Sequence, residues 1–473
     1  GELHSQEEER NKQVEDQKKR EKETGQTPLH EAAKAGNVEA CRLLLERGAD
    51  LHAQDKEGNT PMHYAARHGH ADVVKLLAEH DASTVSDKNS VGDTPMHCAM
   101  RGTDLSAEQL GGVLQALLGH GADVGAVNNA GDTVVQLGIA NGTLKNAGDA
   151  VLKMLVAGMQ ASPAHVNERG ETLLYTASYY GDVKMVSMLC EIVDVKTANT
   201  EGWQALHAAA RNGSAECCTL LLDHGADVNA TARDGHTPAM AASSEGNVEA
   251  LRVLVERGAD VKRADVNGWQ PIHLAAVGGH KDAVDYLIKL GVNVNCRCTG
   301  SKDHTPLMMC VLSRQFNADV LRLLLKKGAR WDVLSSSGYN SLHLCTVRDN
   351  VEAAEIIDTF QGLDPRPNFS INAKDKKGST MMELCASNCA PEMAKFVHRR
   401  TGQPMPDKPI VRAMQRPTRH RRLRSLVCRP PSRQQRCAPK PCTQQNIPQV
   451  RSAVPTAQRL LCLVFLPCNQ ACI

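Results

Sequence analysis

One short phrase recurs along most of the chain, and its spacing limits the folds that the chain can adopt. In its fullest form it reads Thr-Pro-Leu-His or Thr-Pro-Met-His and begins at Thr27, Thr60 and Thr94. Weaker copies begin at Thr133, Thr172, Gln204, Thr237, Gln270, Thr305, Asn340 and Thr380. Successive copies lie 32 to 40 residues apart, which is the length of one supersecondary unit. The spacing therefore predicts an array in which each unit packs on its neighbours.

The residues around the first copy indicate a pair of short helices. Thr27 stands where a helix N-cap is needed, and Pro28 follows at the first helical position, where its missing N–H costs nothing. Gly36 suits the end of this helix because glycine tolerates a left-handed cap. A second stretch then has apolar residues at i, i+3 and i+4 spacing and ends at Gly48. A turn leads from there to the next copy.

The repeated phrase resembles the T-P-L-H-x-A signature of the ankyrin-repeat family, whose unit is about 33 residues long. The resemblance covers residues 25–400. It implies an all-α solenoid of about eleven helix-turn-helix units joined by β-turn or hairpin connections. Residues 1–24 are then a charged helix or a disordered lead-in, and residues 401–473 are a basic, Pro-rich, disordered tail.

Three repeats depart from the regular length, and we expect the extra residues to form exposed loops. They lie at 101–112 in the third repeat, at 141–148 in the fourth, and around Pro365 and Pro367 in the tenth. Exposure is expected because unpaired backbone groups are costly to bury.

Charge is divided unevenly between the body and the tail. From Arg399 onward there are 15 Lys and Arg residues against one acidic residue, Asp407. Subtraction from the totals of 55 and 53 leaves the preceding residues with 40 basic and 52 acidic groups, a net charge of −12. The basic run at 416–424 suits nuclear import or an anionic polymer such as nucleic acid. Out-of-frame translation would also explain a tail so poor in acidic residues, so both interpretations stay open.

The cysteines and the N-terminus predict a reducing compartment. The 17 cysteines are spread without regular pairing distances, no secretory signal opens the chain, and no apolar run reaches ~20 residues. We therefore expect a monomer in the cytoplasm, or in the nucleus, with reduced thiols and no membrane span. Because the first residue is Gly1, an upstream region can be missing.

Aromatic and imidazole side chains concentrate at the position immediately before the repeated phrase. From the sixth to the tenth repeat this position holds Trp203, His236, Trp269, His304 and Tyr339. The resemblance implies that this position lies on a turn tip, and that turn tips and first helices line one concave face on which partners bind. Because Trp and Tyr are frequent in binding hot spots, we expect a partner-binding groove along these residues, with Arg211 and Asn212 beside it. The alternative is that the rings only cover the turn of a neighbouring repeat.

Two turn asparagines, Asn229 and Asn295, lie in contexts that resemble ankyrin turns accepted by an asparaginyl hydroxylase. Hydroxylation of both is therefore a hypothesis. Asparagine is also a common turn-stabilising residue, and this simpler role holds in either case.

The sequence contains no motif that predicts catalysis. Phosphate loops, dinucleotide fingerprints and nucleophile elbows are absent from it, and Cys296-x-Cys298 does not have the spacing of a zinc site. The histidines at the fourth position of the phrase are one repeat apart and not clustered, which argues against a metal or catalytic site. The resemblance implies that each imidazole bonds the turn of an adjacent repeat. Trp331 occupies a position at which other repeats have Val. This position points into the stack, so Trp331 is expected in the core. No catalytic residue, metal or cofactor is predicted.

These observations favour a non-enzymatic scaffold or adaptor that binds a protein partner. Two alternatives stay open from the sequence. The array can be the regulatory part of a larger enzyme whose catalytic domain is absent from this chain, or the basic tail can bind nucleic acid or another anion.

Overall fold

Short α-helices arranged in pairs make up the structure of this chain. The computed structural model describes residues 23–102, 105–158, 165–298, 303–361 and 374–405, which contain eleven such pairs. The first helices of the pairs are Pro28–Lys34, Pro61–Arg67, Pro95–Met100, Val134–Asn141, Leu173–Tyr180, Ala205–Asn212, Pro238–Glu245, Pro271–Gly278, Pro306–Leu312, Ser341–Arg348 and Met381–Ser387. The second helices are Val38–Glu46, Ala71–His80, Ala107–Gly119, Asp149–Gly158, Val183–Cys190, Ala215–Asp223, Val248–Glu256, Lys281–Lys289, Ala318–Lys326, Val351–Gln361 and Pro391–Thr401.

The predicted all-α repeat fold is confirmed. Each first helix begins directly after the first residue of one copy of the phrase, so we number the repeats 1 to 11 in chain order. Within the described residues, extended pairing is limited to isolated bridges at three turn tips, such as the bridge from Val127 to Thr133. Residues 1–22 of the lead-in, residues 406–473 of the tail, and Pro365 and Pro367 lie outside the described residues.

The repeats fall into two compact units. Repeats 1 to 7 belong to a unit that ends at Asp265, and repeats 8 to 11 belong to a unit that begins at Val266. Inside each unit, first helices pack on the first helices of the next repeat, and second helices pack on second helices. The repeat spacing predicts one continuous array and gives no sign of this division.

Small and aliphatic side chains form the buried interior. Ala208, Ala209 and Ala210 on the first helix of repeat 6 are fully buried, as are Cys218 and Leu221 on its second helix. Because alanine occupies little volume, neighbouring first helices approach closely, and leucine fills the space between the second helices. This explains how a chain with 3% aromatic residues builds a core.

Histidine at the fourth position of the phrase links each of several repeats to the turn of the next. In His207, Nδ1 accepts from the backbone N–H of Gln204 at 3.2 Å, which leaves Nε2–H to donate to the carbonyl of His236 at 3.1 Å. The equivalent distances from Nε2 to a carbonyl oxygen are 2.9 Å for His30 to Asn59, 3.0 Å for His63 to Asp93, 3.2 Å for His97 to Asp132 and 3.3 Å for His273 to Cys296. The predicted structural role of these imidazoles is confirmed.

Other residues at the fourth position show what the bond requires. Gln136 makes the same two contacts as histidine: its Oε1 accepts from Thr133 N at 3.0 Å, and its Nε2 donates to the carbonyl of Glu171 at 3.0 Å. In repeat 9 the position holds Met308, which has no donor, and the Thr305 hydroxyl alone caps the helix. A neutral side chain that can accept and donate at once is therefore needed for the link.

The expectation of exposed loops in repeats 3 and 4 is wrong for part of each insertion. In repeat 3, Ser106 caps a 13-residue helix, Ala107–Gly119, which includes half of the insertion at 101–112. In repeat 4, Thr143–Asn146 forms a 3-10 turn in which Leu144 is 1% exposed. Thr143 Oγ1 donates to the carbonyl of Met100 at 2.7 Å. Leu144 and Ala147 can be buried because the neighbouring polar groups are satisfied against repeat 3, whereas Lys145 stays exposed.

Gly138 makes this arrangement possible. A Cβ at this position would lie 2.7 Å from the sulfur of Met100 and 2.9 Å from Cγ of Leu144. Both distances are too short for a side chain, so glycine is needed for the close approach of the 3-10 turn.

The neutral state of the linking histidines makes stability depend on pH. Burial lowers the pKa of His207 and of His273 from 6.5 to about 4. Between these values the unfolded chain binds protons and the folded chain does not, so stability falls as the pH is lowered from 6.5 towards 4. The combined change His207→Gln and His273→Gln should reduce this loss, because glutamine keeps both bonds and does not titrate.

Urea unfolding followed by circular dichroism at a series of pH values would measure the effect. At pH 7.5 the glutamine variant should unfold at a urea concentration close to that of the native chain. The exposed His80→Gln serves as the control and should leave the pH dependence unchanged. An equally steep acid loss in the glutamine variant would contradict the prediction.

Candidate functional site

The predicted binding residues are mostly buried. Trp203 is 9% exposed and His236 is 2% exposed in the first unit, and Trp269 is 5% exposed and His304 is 3% exposed in the second. Tyr339, also in the second unit, is partly exposed. A partner therefore cannot reach most of these rings in this structure, and their burial favours the alternative in which they cover the turns.

Trp203 packs on both ends of a bond that links two repeats. Its ring lies 5.4 Å from the ring of His207, which donates to the backbone of His236, and 6.0 Å from the His236 ring itself, nearly parallel to it. The guanidinium of Arg211 lies over the outer side of Trp203 at 5.9 Å. The indole thus keeps water away from the His207 bond, which strengthens the bond electrostatically.

The second unit repeats this arrangement. The Trp269 ring lies 6.5 Å from the ring of His273, and the Tyr339 ring lies 6.0 Å from that of His343. His304 lies in the turn of repeat 9, where its backbone N–H donates to Sγ of Cys298 at 3.1 Å. At this position, an aromatic ring therefore covers the fourth-position histidine of its own repeat. Partner binding by these residues stays a prediction.

Arg211 and Asn212 are the accessible members of the predicted set in the first unit. Both are partly exposed at the end of the first helix of repeat 6. Arg211 Nε lies 3.3 Å from the Glu245 carboxylate of repeat 7, and both side chains are well exposed. Such a pair contributes little to stability, so these residues are free to exchange solvent contacts for contacts with a partner.

Sequence reasoning missed a chain of polar contacts at the same turn position in the early repeats. Asn89 Nδ2 donates to Asn59 Oδ1 at 2.9 Å, and Asn128 Nδ2 donates to Asp93 Oδ1 at 3.0 Å. Asn167 continues the pattern towards Asp132 at 3.0 Å. The available signal was an asparagine four residues before the tip position in repeats 3, 4 and 5. These amides link turns that have no aromatic cover.

A tyrosine cluster on repeat 5 was also missed. Tyr175, Tyr179 and Tyr180 all lie on the helix Leu173–Tyr180, and the last two are among the exposed large side chains of the described residues. The sequence signal was the presence of three of the chain's six tyrosines within six residues. It was overlooked because the cluster lies inside the first helix and not at the turn tip.

The two candidate hydroxylation residues occupy equivalent positions in two turns. Asn229 Nδ2 donates to the carbonyl of Gly258 at 3.2 Å, and its Oδ1 accepts from Asp260 N at 2.8 Å. Asn295 makes the same pair of bonds, to Gly328 at 3.1 Å and from Arg330 at 2.7 Å. Both side chains are partly exposed. Each amide therefore joins its turn to the turn of the next repeat in its own unit.

The thiols are those of a protein core. Of the eleven described cysteines, only Cys389 is exposed, and all of them are free thiols. Burial raises the pKa of Cys310 to about 12, so this thiol is protonated and unreactive at neutral pH. Trp331 is 7% exposed, which confirms its predicted place in the core.

Two features are absent from the described residues. They contain no group of three or more His, Cys, Asp or Glu side chains that could hold a metal ion. In the same part of the chain, every helix is too short or too polar to cross a lipid bilayer.

Comparison with known families gives extensive matches. The family model described as ankyrin repeats, in three copies, matches residues 8–87, 29–127, 143–232 and 229–298. These segments together cover more than half of the chain. Repeats 9 to 11 lie beyond the last segment, so their assignment rests on their helix pairs and on the repeated phrase.

Individual relatives share shorter segments. The B-cell lymphoma 3 protein homolog of Mus musculus is 28% identical over 144 residues, which is 29% of this chain and 30% of that protein. Alpha-latroinsectotoxin-Lt1a of Latrodectus tredecimguttatus is 44% identical over 63 residues, which is 13% of this chain and 4% of the toxin. The chain thus spans less than a third of either relative. The human ASB11 ankyrin repeat domain, a crystal structure, is 24% identical with a TM-score of 0.43 and covers 50% of this chain and 100% of that domain.

A substitution of Trp203 should separate a structural role from a surface role. Trp203→Ala removes a buried ring and exposes the His207 bond, so it should lower the free energy of unfolding by about 3 kcal/mol. Arg211→Ala, next to it, should change the same quantity by less than about 1 kcal/mol because its ion pair is exposed. Urea unfolding followed by circular dichroism compares the two. Equal stability of the Trp203 variant and the native chain would contradict the packing described here.

Proposed function

Because the chain belongs to the ankyrin-repeat family, we propose that it is a non-enzymatic scaffold or adaptor that binds a partner protein. Ankyrin repeats are general protein–protein interaction modules, which supports this class of function. The observation that carries the proposal is the set of exposed aromatic and charged side chains at the end of two neighbouring first helices. On repeats 5 and 6 these are Tyr179, Tyr180, Arg211 and Asn212. Tyr and Arg are enriched in binding hot spots.

In each unit, the partner is proposed to bind on the face formed by the first helices and the turn tips. In the first unit Arg211 and Asn212 would make the contacts, and in the second unit the accessible part of Tyr339 would do so. The buried Trp203, His236, Trp269 and His304 would then act indirectly, by fixing the backbone that presents those side chains. Preorganised contacts cost less conformational entropy on binding, which is why a rigid repeat surface suits this role.

Reduced, buried thiols support a cytoplasmic or nuclear setting for this scaffold. A second role, binding of nucleic acid or another polyanion by the tail, is favoured by the excess of basic residues after Arg399. The regulatory array of a larger enzyme stays compatible with the same surface, because such an array also acts by holding a protein.

Asn229 and Asn295 are proposed as sites of β-hydroxylation. Because both side chains are partly exposed and occupy the same position in their turns, we expect one enzyme to modify both. Mass spectrometry of the two turn peptides from a eukaryotic host should show the added mass of one oxygen atom on each, and Asn229→Ala should remove it from the first peptide only. Unmodified peptides at both positions would contradict the proposal.

A charge reversal on the proposed face tests the scaffold function. The full chain with Arg211→Glu should capture at least about tenfold less partner protein from cell extract than the native chain does. The reason is that hot-spot side chains carry most of the binding energy. Lys75→Glu makes the same charge change on an exposed position of a second helix and should capture the same proteins as the native chain. Circular dichroism of both variants checks folding. Equal capture by the two variants would show that the partner binds elsewhere.

A further inference from the structure

The first helix of repeat 5 presents an aromatic surface. The rings of Tyr175 and Tyr179 lie one helical turn apart, within 12° of parallel and 6.5 Å between centroids. Tyr180 meets Tyr179 edge to face at 5.3 Å. Tyr179 is 41% exposed and Tyr180 is 39% exposed, whereas Tyr175 is 9% exposed and anchors the pair. Two tyrosine rings are thus held in fixed positions on the surface.

Two carboxylates are held together beside these rings. The buried Asn167 donates from Nδ2 to Asp132 Oδ1 at 3.0 Å and to Glu171 Oε2 at 3.1 Å. Burial raises the pKa of Tyr180, and the charges of Glu171 and Asp132 raise it further, so both carboxylates lie within electrostatic reach of the phenol. Like charges that share one amide donor repel each other, and a bound cation would relieve this repulsion.

Acidic groups outnumber basic groups around the tyrosines. The charged side chains that act on Tyr175 or Tyr180, or that pair with those that do, are Asp132, Glu171, Glu201, Glu245, Arg169 and Arg211. Arg211 is paired with Glu245 at 3.3 Å and lies over Trp203. Only Arg169 then faces the three remaining carboxylates. With four acidic and two basic groups, these six side chains carry a net charge of −2.

We propose that this surface, the acidic tyrosine patch of Tyr175, Tyr179, Tyr180, Asp132 and Glu171, binds an arginine- or lysine-rich segment of a partner protein. The inference rests on the proposed scaffold function and adds the chemistry of one segment of the partner; Arg211, which is paired with Glu245, would contact a different part of that partner. A guanidinium or ammonium group over an exposed tyrosine face gains a cation–π attraction, and the paired carboxylates accept its N–H groups.

Other partner chemistries fit the patch less well. An acidic segment would be repelled by Asp132 and Glu171. A purely apolar segment would remove these two carboxylates from water without giving them a hydrogen-bond donor, which is costly. The combination of exposed rings and a carboxylate pair in a net-acidic surrounding therefore favours a basic segment.

A short fluorescent peptide of alternating arginine and glycine is the first probe, with a glutamate–glycine peptide of the same length as its control. Fluorescence anisotropy with the full chain should show binding of the arginine peptide only. The variant Tyr179→Ala, Tyr180→Ala should bind it at least about tenfold more weakly, because two cation–π contacts are lost. Tyr179→Phe, Tyr180→Phe should retain most of the affinity, since phenylalanine keeps the ring faces. Undiminished binding by the alanine variant would overturn the proposal.

A charge-matched pair of variants separates the patch from general electrostatic attraction. Asp132→Asn, Glu171→Gln should weaken binding of the arginine peptide about tenfold. Glu79→Gln, Glu256→Gln makes the same change in net charge at exposed positions of second helices and should leave binding unchanged. Circular dichroism of each variant checks the helix content. Equal weakening by the two pairs would show that the peptide follows net charge alone, which contradicts the patch.

The chain's own basic tail is the competing source of arginines. If the tail occupied the patch, the peptide would bind only after Arg419, Arg421, Arg422 and Arg424 are changed to Gln, and the assignment to a partner would be wrong. Peptide binding that is the same with and without these changes supports the assignment.

The two proposals also fail in different ways. Capture that Arg211→Glu leaves unchanged, together with intact peptide binding, would contradict the proposed binding face and leave the patch standing. Capture that depends on Arg211 without peptide binding would contradict only the patch.

Discussion

The hydrogen bond from a fourth-position side chain to the carbonyl of the following turn is the interaction on which the rest of the structure depends. A first helix of seven or eight residues is too short to be stable alone. His207 satisfies a free N–H at the start of its own helix and a carbonyl of repeat 7 at once, so one imidazole caps a helix and joins two repeats. Because this requires one acceptor and one donor nitrogen, the imidazole must stay neutral, and burial keeps it so.

The turn position beside this bond is used in two ways within the chain. In repeats 2 to 4, polar side chains at the tip accept from the asparagine of the next turn, as in the bond from Asn89 to Asn59. In repeats 6, 8 and 10, an aromatic ring covers the fourth-position histidine instead, as Trp203 covers His207. Both arrangements protect or extend the connection between turns. The change from one to the other coincides with repeat 5, where the tyrosine cluster is exposed.

The fold could be predicted from the sequence because the same helix signals recur from repeat to repeat. The repeated phrase predicted the helix starts, and the family resemblance implied the role of the histidines. The core position of Trp331 followed from the valine that it replaces. The division at Asp265 and the buried turn at Leu144 could not be predicted in the same way. Both depend on contacts with neighbouring repeats, such as the space left by Gly138, that a repeat signature does not encode.

The candidate site was less predictable, because residue type at a turn tip does not determine exposure. Tryptophan is frequent in binding hot spots, yet the ring of Trp203 is enclosed by two histidines and a guanidinium. Tyr179 and Tyr180 lie at the end of a first helix, where the neighbouring repeat leaves both rings uncovered.

Met308 gives the array a property that a uniform repeat would lack. It stands where repeats 8 and 10 of the same unit have a histidine, and it has no group that can donate to the following turn. In a nearest-neighbour description of repeat proteins, the coupling free energy between repeats 9 and 10 is reduced by about one hydrogen bond. Under mechanical load, repeats 9 and 10 would therefore separate before repeats 8 and 9, which His273 links, and the second unit would open first at its middle.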